Sequence, residues 1–164
     1  MRKLYVTTLN VTIYNMRIED EIKQKKFKSD YHKMIINLLY TGSWISLKES
    51  QILKPFGLTI QQYNILRILN GQYPNPATVN LLIERMLDKT SNASRIVDRL
   101  VRKKLVTRRV CTKDRRSVDV LINAEGIELL RKIEEMRIEE QNEFNSLADS
   151  EMKTLNRLLD KFRG

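Results

Sequence analysis

Residues 105–122 read Leu-Val-Thr-Arg-Arg-Val-Cys-Thr-Lys-Asp-Arg-Arg-Ser-Val-Asp-Val-Leu-Ile and are the most informative part of the chain. Two runs rich in β-branched residues, 105–110 and 118–122, flank a polar segment. This order is typical of a β-hairpin with a long basic loop. The sequence therefore predicts a hairpin whose tip carries Lys113, Asp114, Arg115 and Arg116.

A pair of short helices is predicted directly before this hairpin. Residues 78–86 place apolar side chains on one face, and a brief turn at residues 87–89 leads into a second helix that ends near Lys104. The inner face of the second helix consists of Ala93, Ile96, Val97, Leu100 and Val101. Two short helices with so brief a connection fit helix-turn-helix spacing. Followed by a basic hairpin, they predict a winged helix-turn-helix that reads duplex DNA.

The second helix opens with small polar and basic residues that suit contact with DNA. They are Lys89, Thr90, Ser91, Asn92, Ser94 and Arg95, with Arg99 one turn further on. Asparagine can pair with adenine, arginine with guanine, and serine or threonine can donate to bases or phosphates. A plainer interpretation is that Asp88, Thr90 and Ser91 only cap the helix. Ser94 and Arg95 favour the DNA interpretation, because they stand beyond the cap and opposite the apolar face.

The hairpin tip offers a second contact with DNA. Asp114 and Arg116 are two residues apart, so they share a face of an extended edge. A carboxylate there can hold a guanidinium in an extended pose, which suits insertion into a narrow minor groove. The alternative is an ordinary surface ion pair worth about 0–1 kcal/mol.

Amphipathic helices are predicted outside the winged unit. Residues 18–53 have apolar side chains at three- and four-residue steps, which favours one long helix, interrupted near Gly42. After the hairpin, the same periodicity predicts helices at residues 123–144 and 152–162. These helices carry more apolar residues than a small winged unit can cover by itself, so we expect a homodimer.

The fold class is therefore predicted as mainly α with a small β-hairpin wing. Thr59 and Gln62 begin the winged unit, because Thr-x-x-Gln is the capping box of a helix start. We therefore divide the chain into four parts. They are an N-terminal extension at residues 1–17, an N-terminal dimerisation helix at 18–57, the winged helix-turn-helix at 58–122, and C-terminal dimerisation helices at 123–164.

Charge is unevenly distributed along the chain. Residues 58–122 contain 13 basic and 5 acidic side chains, whereas residues 123–164 contain 7 basic and 10 acidic ones. Residues 1–57 contain 10 basic and 5 acidic side chains. The positive charge thus concentrates on the segment predicted to bind DNA, which is the expected footprint of a polyanion-binding face.

The composition argues against several other classes of protein. A single cysteine, Cys111, excludes an internal disulfide and fits a reducing compartment, and no apolar run approaches the ~20 residues of a membrane span, so we expect a cytoplasmic protein. One histidine, His32, and no glycine-rich phosphate loop argue against an enzyme, a metal site and a cofactor.

The motifs together resemble the MarR family of bacterial transcriptional regulators. They are Leu58-Thr59-x-x-Gln62, Ser94-Arg95-Ile96-Val97-Asp98-Arg99-Leu100, Leu105-Val106, Asp114-Arg115-Arg116 and Asn123-Ala124-Glu125-Gly126, within residues 30–162. The resemblance implies a triangular homodimer with interleaved terminal helices. It also implies that residues 78–104 form the helix-turn-helix, and that Arg116 enters the minor groove with Asp114 as its anchor.

Two positions depart from the family pattern. Lys104 stands where the family usually has glycine, and a site that needs a positive φ would be strained there. Asn123 replaces the usual threonine that caps the next helix, and is chemically equivalent as a cap. Cys111 lies away from the first helix, where the oxidation-sensing members carry their cysteine, and is expected to be a passive thiol.

The expected function is that of a sequence-specific regulator, a repressor, that binds double-stranded DNA as a homodimer on a pseudo-palindromic operator. The resemblance also implies a small-molecule effector, for which Tyr40, Trp44 and Tyr63 are candidate lining residues, although aromatics at helical spacing also suit a core. The alternative function is a winged-helix protein-interaction module or an anti-repressor, whose binding would depend little on salt.

Overall fold

The computed structural model describes the backbone of residues 4–6, 12–14, 17–110, 118–144 and 147–164, and the side chains of residues 17–110, 118–137 and 147–164. Contacts divide the chain into two compact units. The first consists of residues 1–40 and 139–164, and the second of residues 41–138. Each unit is described below by itself.

The first unit contains a small hairpin and helices. Strand β1 (Leu4–Val6) pairs antiparallel with β2 (Thr12–Tyr14), and a short helix α1 (Ile18–Glu21) follows. The unit also holds the beginning of α2 (Asp30–Leu53) and the whole of α7 (Asp149–Arg163). The hairpin was not predicted, because the alternation in residues 4–13 is weak.

The prediction of one helix over residues 18–53 is wrong. The helix breaks at residues 22–29, where Lys23 has a φ of +54°, and not near Gly42, which lies inside the continuous α2. The hydroxyl oxygen of Ser29 accepts the N–H of His32 at 3.1 Å and so favours a new helix start. Gly42 costs only about 0.5–1 kcal/mol inside a helix, which is too little to end it.

The second unit begins with the end of α2 and three further helices. The chain leaves α2 through a 3₁₀ turn (Lys54–Phe56) and enters α3 (Ile60–Asn70). The predicted capping box is confirmed, since the Thr59 N–H donates to Gln62 Oε1 at 3.1 Å and the Gln62 N–H donates to Thr59 Oγ1 at 3.2 Å. Helices α4 (Val79–Arg85) and α5 (Ala93–Arg102) follow.

A three-stranded antiparallel sheet completes the winged part of this unit. It has the order β3 (Ala77–Thr78), β5 (Val118–Ile122), β4 (Val106–Val110). In the hairpin, Val106 pairs with Ile122 and Val110 with Val118, which confirms both predicted strands. Strand β3 was missed, because two residues are too few to show a period. The predicted fold class, mainly α with a small β wing, is confirmed.

The core of the second unit lies between α3, α4, α5, the sheet and the start of α6 (Ala124–Phe144). Its fully buried side chains are Leu53, Ile65, Leu66, Leu69, Leu82, Val97, Leu100, Val106, Val120 and Ile133. Burying each large aliphatic side chain stabilises the fold by roughly 1.5–3 kcal/mol. This core therefore holds α5 firmly while its other face remains exposed.

The junction between α5 and β4 is a Schellman turn with Lys104 in the left-handed position. Lys104 has a φ of +60°, the N–H of Leu105 donates to Leu100 O at 3.1 Å, and the N–H of Lys104 donates to Val101 O at 2.9 Å. The Nδ2 of Asn123 donates to Lys104 O at 3.1 Å, which ties the start of α6 to this turn. The site does need a positive φ, so its lysine is strained.

None of the helices described is long and apolar enough to cross a membrane.

Candidate nucleic-acid interface

Helix α5 has one buried and one exposed face. Ala93, Val97 and Leu100 are buried in the core. Ser94, Arg95 and Arg99 are exposed, and their side chains make no hydrogen bond or ion pair with any other described residue. A basic face of this kind, fixed to a packed core and unpartnered within the described part of the chain, is suited to an anionic ligand.

Helix α5 begins later in the sequence than predicted. Asn92 is the N-cap, and its Oδ1 accepts the N–H of Arg95 at 3.0 Å. Lys89, Thr90 and Ser91 therefore lie in the turn before the helix and not on its first turn. Because Oδ1 of Asn92 is engaged in the cap, the expected pairing of this amide with adenine through both of its polar atoms would break the cap.

Asp88 organises the turn between α4 and α5. Its Oδ1 accepts the N–H of Thr90 at 2.9 Å and the Thr90 hydroxyl at 2.6 Å. Its Oδ2 accepts the Ser91 hydroxyl at 2.6 Å. These local bonds compete with helix formation, which is the physical reason that α5 starts only after them. The hydroxyls of Ser91 and then Thr90 lower the pKa of Asp88 to about 2.

The same turn is attached to α3 and α4. The side-chain oxygen of Asn64 accepts the N–H of Leu87 at 3.0 Å. The ammonium of Lys89 donates to the carbonyl of Glu84, near the C-terminus of α4, where a cation offsets the unpaired carbonyls of the last turn. The turn that precedes α5 is thus fixed from two helices, and Lys89 is engaged within the protein.

The described strands of the wing add cations that the sequence did not single out. Arg108 on β4 forms an ion pair with Asp98 on α5, at 2.6 Å between Nη1 and Oδ1, and Arg109 is exposed beside it. Asp98 and Arg108 lie ten residues apart on different elements, so no local period could indicate their contact. The predicted tip residues Lys113, Asp114, Arg115 and Arg116 lie outside the described residues, and their roles stay predictions.

The three candidate effector residues lie in different surroundings. Tyr40 belongs to the first unit, where its hydroxyl donates to Glu21 Oε2 at 2.7 Å, and that bond raises the pKa of Tyr40. Trp44 and Tyr63 belong to the second unit, Trp44 half-buried and Tyr63 only 8% exposed. Tyr63 is therefore a core residue in this structure, and the assignment of the three residues to an effector stays a prediction.

Two arginines surround Tyr63. The Arg137 guanidinium lies 4.7 Å from the centre of its ring, and Nη1 of Arg67 donates to its hydroxyl at 3.2 Å. Arg67 also pairs with Glu134 at 2.9 Å, and Arg137 pairs with Glu49. The Nε of Arg137 is buried without a hydrogen-bond partner among the residues described. This cluster links α2, α3 and α6 and retains one unsatisfied donor.

No three His, Cys, Asp or Glu side chains within the described ranges are grouped so that they could hold a metal ion.

Comparison with known proteins gives the family context of this geometry. The MarR family model matches residues 56–117. A MarR transcription factor from Planctomyces limnophilus is 29% identical, with a TM-score of 0.63, over 82% of this chain and 98% of that one. No curated protein sequence matches.

Two further solved structures share the fold at lower identity. MepR of S. aureus, in complex with DNA, is 23% identical with a TM-score of 0.68, over 84% of this chain and 96% of that one. BpsR of Bordetella bronchiseptica, whose DNA binding is regulated by 6-hydroxynicotinic acid, is 20% identical with a TM-score of 0.64, over 80% of this chain and 99% of that one. The resemblance inferred from the sequence is confirmed.

Proposed function

We propose that this chain, in which residues 56–117 match the MarR family model, is a sequence-specific regulator of transcription that binds double-stranded DNA. It acts as a homodimer on a pseudo-palindromic operator and represses by occupying that site. The two copies of α5 would enter successive major grooves about one DNA turn apart, roughly 34–36 Å.

One observation carries this proposal, namely the free basic face of α5. Ser94, Arg95 and Arg99 project from a helix whose opposite face is locked in the core. Residues 58–122, which contain this helix, have 13 basic and 5 acidic side chains. A rigid helix with an arginine-bearing face and a basic wing beside it fits the major groove, where arginine reads guanine. The DNA complex of the similarly folded MepR supports the same role.

Exposed apolar side chains support the homodimer. On α7, Leu155, Leu158 and Phe162 are 45% to 49% exposed, and on α2, Tyr31 and Leu39 are 65% and 68% exposed. Leu155, Leu158 and Phe162 recur at three- and four-residue steps, so they share one face of α7, and an exposed apolar face of this kind marks an interface. We assign its occupant as a second copy of this chain, in which the terminal helices of the two copies cover one another.

The homodimer is tested by replacing both Leu155 and Leu158 with arginine. Sedimentation velocity should show a shift from dimer to monomer, because two cations would be buried in the apolar contact. Asn156→Arg is the matched control, since Asn156 is an exposed polar residue of the same helix. A wild-type protein that is monomeric at micromolar concentration would refute the homodimer.

An effector is the remaining part of the proposal. The unsatisfied Nε of Arg137, beside Tyr63 and Arg67, favours a small aromatic anion that supplies the missing acceptor. The regulation of BpsR by 6-hydroxynicotinic acid supports an effector of this class. Benzoate should raise the midpoint of thermal unfolding and lower the affinity for DNA. Neutral benzamide should change neither quantity. Arg137→Met should abolish both effects of benzoate.

DNA binding is tested by selecting bound sequences from random duplexes and then measuring affinity against salt. The affinity should fall steeply, with a slope near −0.9 per phosphate contact in a plot of log K against log salt. Arg95→Ala should change the selected sequence more than it changes non-specific affinity. Failure to enrich any duplex, with salt-insensitive capture of another protein, would favour the interaction module or anti-repressor.

A further inference from the structure

Asp88 accepts three hydrogen bonds within the protein. Its Oδ1 accepts the N–H and the hydroxyl of Thr90, and its Oδ2 accepts the hydroxyl of Ser91. An ionised carboxylate has about four lone-pair sites, so these three bonds occupy most of them. Asp88 is therefore engaged chiefly by the turn that it organises.

These bonds also fix the direction in which each hydroxyl points its hydrogen. A carboxylate accepts and cannot donate, and the low pKa of Asp88, about 2, keeps it ionised near neutral pH. The hydrogen in each 2.6 Å bond therefore belongs to Thr90 or Ser91. A hydroxyl that has committed its single hydrogen retains only lone pairs, so it can accept and no longer donate.

Of the two hydroxyl residues, Thr90 is the one available to an external partner. Its side chain is exposed, whereas Ser91 is half-buried. Phosphate oxygens, guanine O6 and N7, and thymine O4 are acceptors, so none can pair with a hydroxyl that only accepts. In the major groove, the donors are the amino groups of adenine, at N6, and of cytosine, at N4.

We propose that Asp88 is a positioning residue that makes Thr90 an obligate acceptor, so that Thr90 reads an adenine or cytosine amino group in the major groove. This inference rests on the proposed DNA-binding function. It revises the prediction that Thr90 donates to bases or phosphates. It also assigns the acid in this basic region a role, since its charge near the groove would otherwise weaken DNA binding.

The experiment uses the wild-type protein and its selected duplex. Each adenine or cytosine of the duplex is replaced in turn by an analogue without the exocyclic amino group, purine or 2-pyrimidinone. At one position in each half-site, this deletion should weaken wild-type binding by about 3- to 10-fold, the effect of one lost hydrogen bond. Thr90→Val should bind the intact duplex more weakly than wild type by a similar factor. Its affinity should not change further when that same amino group is deleted. Thr90→Ser, which retains the hydroxyl, should behave as wild type.

Asp88→Ala provides a readout that distinguishes a positioning role from a structural one. Without the carboxylate, the hydrogen of the Thr90 hydroxyl is free to point outward. A repeated selection should then replace adenine or cytosine by guanine or thymine at the position identified above. Asp88→Asn is the matched control, because the N–H of Thr90 keeps the amide oxygen at the Oδ1 position, where the Thr90 hydroxyl still donates to it. Unchanged base preference in a folded Asp88→Ala protein would overturn the positioning role.

Two results with wild-type protein overturn the inference without affecting the proposed function. One is binding that tolerates amino deletion at every position. The other concerns duplexes in which one phosphate is replaced by a neutral methylphosphonate. If such a replacement weakens DNA binding by wild type but not by Thr90→Val, Thr90 contacts a phosphate and not a base. If no duplex is enriched at all, the proposed function fails, and the inference fails with it. Thermal unfolding of each variant identifies any loss of affinity that comes from misfolding.

Discussion

Oδ1 of Asp98 lies 2.6 Å from Nη1 of Arg108, and this ion pair joins the exposed side of α5 to the first strand of the wing. Both side chains are roughly half exposed, so the pair contributes only about 0–1 kcal/mol to stability. Its importance is geometric. It bridges the wing and the helix that we propose enters the major groove, so we expect it to favour one placement of these two elements.

Asp98→Asn should therefore lower DNA affinity several-fold while changing the free energy of unfolding by less than about 1 kcal/mol. Fluorescence anisotropy and urea unfolding measure the two quantities. Glu128→Gln is the control, because Glu128 forms a comparable exposed ion pair with Arg131 on α6, away from the wing. Equal DNA affinity of both variants and wild type would show that the pair does not align the two elements.

Lys104→Gly should stabilise the protein by about 0.4–1 kcal/mol or more, because glycine adopts the positive φ of +60° without strain. Chemical denaturation measures the change. Lys104→Ala is the matched variant, since it removes the same side chain but keeps the Cβ atom that causes the strain. If the two substitutions have equal effects, the gain does not come from the backbone.

Gly126→Ala should destabilise the second unit by about 1–3 kcal/mol. A Cβ atom there would lie 2.5 Å from the carbonyl oxygen of Leu105 and 2.7 Å from Cγ1 of Ile122, where α6 meets the hairpin. Gly42→Ala is the internal comparison, because nothing lies within 4 Å of its Cβ position and alanine favours a helix. Differential scanning calorimetry should show a lower unfolding temperature for Gly126→Ala and a higher one for Gly42→Ala. Changes of the same sign in the two variants would contradict the packing described.

Low pH should weaken the hydrogen bonds by which Asp88 holds the turn between α4 and α5. The pKa of Asp88 is lowered from 3.8 to about 2, so its hydrogen bonds contribute stability above pH 3.8 that is lost as the pH falls through 2. The stability difference between wild type and Asp88→Asn should be constant from pH 7 to 5 and decrease below pH 4. Unfolding midpoints measured from pH 7 to 2 test this, and a difference that grows in acid has the wrong sign.

Arg116→Ala should weaken DNA binding while the protein keeps its fold and its proposed dimeric state, because the predicted minor-groove contact is lost without any change in the core. Anisotropy titrations and sedimentation equilibrium provide the two readouts. Arg163→Ala, in the exposed last turn of α7, serves as a control for the loss of one positive charge. Unchanged DNA affinity of the Arg116 variant would refute the assignment of the wing.

Local features of the sequence were sufficient to predict much of this fold. The capping box of Thr59 and Gln62 and the two strands of the β4–β5 hairpin depend on partners that are close in sequence or on a fixed period. The winged helix-turn-helix and its basic face could therefore be inferred before any contact was known. The strain at Lys104 was expected only if its site needs a positive φ, on the basis of the family's usual glycine there, and the φ of +60° meets that condition.

Tertiary structure alone decided which polar atoms remain available for binding. The sequence shows that Thr90, Asn92 and Lys89 are polar, but their hydrogen-bond partners and directions depend on where the turn and its neighbouring helices lie. The same is true of Asp98 with Arg108, and of Tyr63 with Arg137, whose contacts span ten and 74 residues. A donor or acceptor is used or free only in relation to its neighbours in space, and sequence periodicity carries no information about those neighbours.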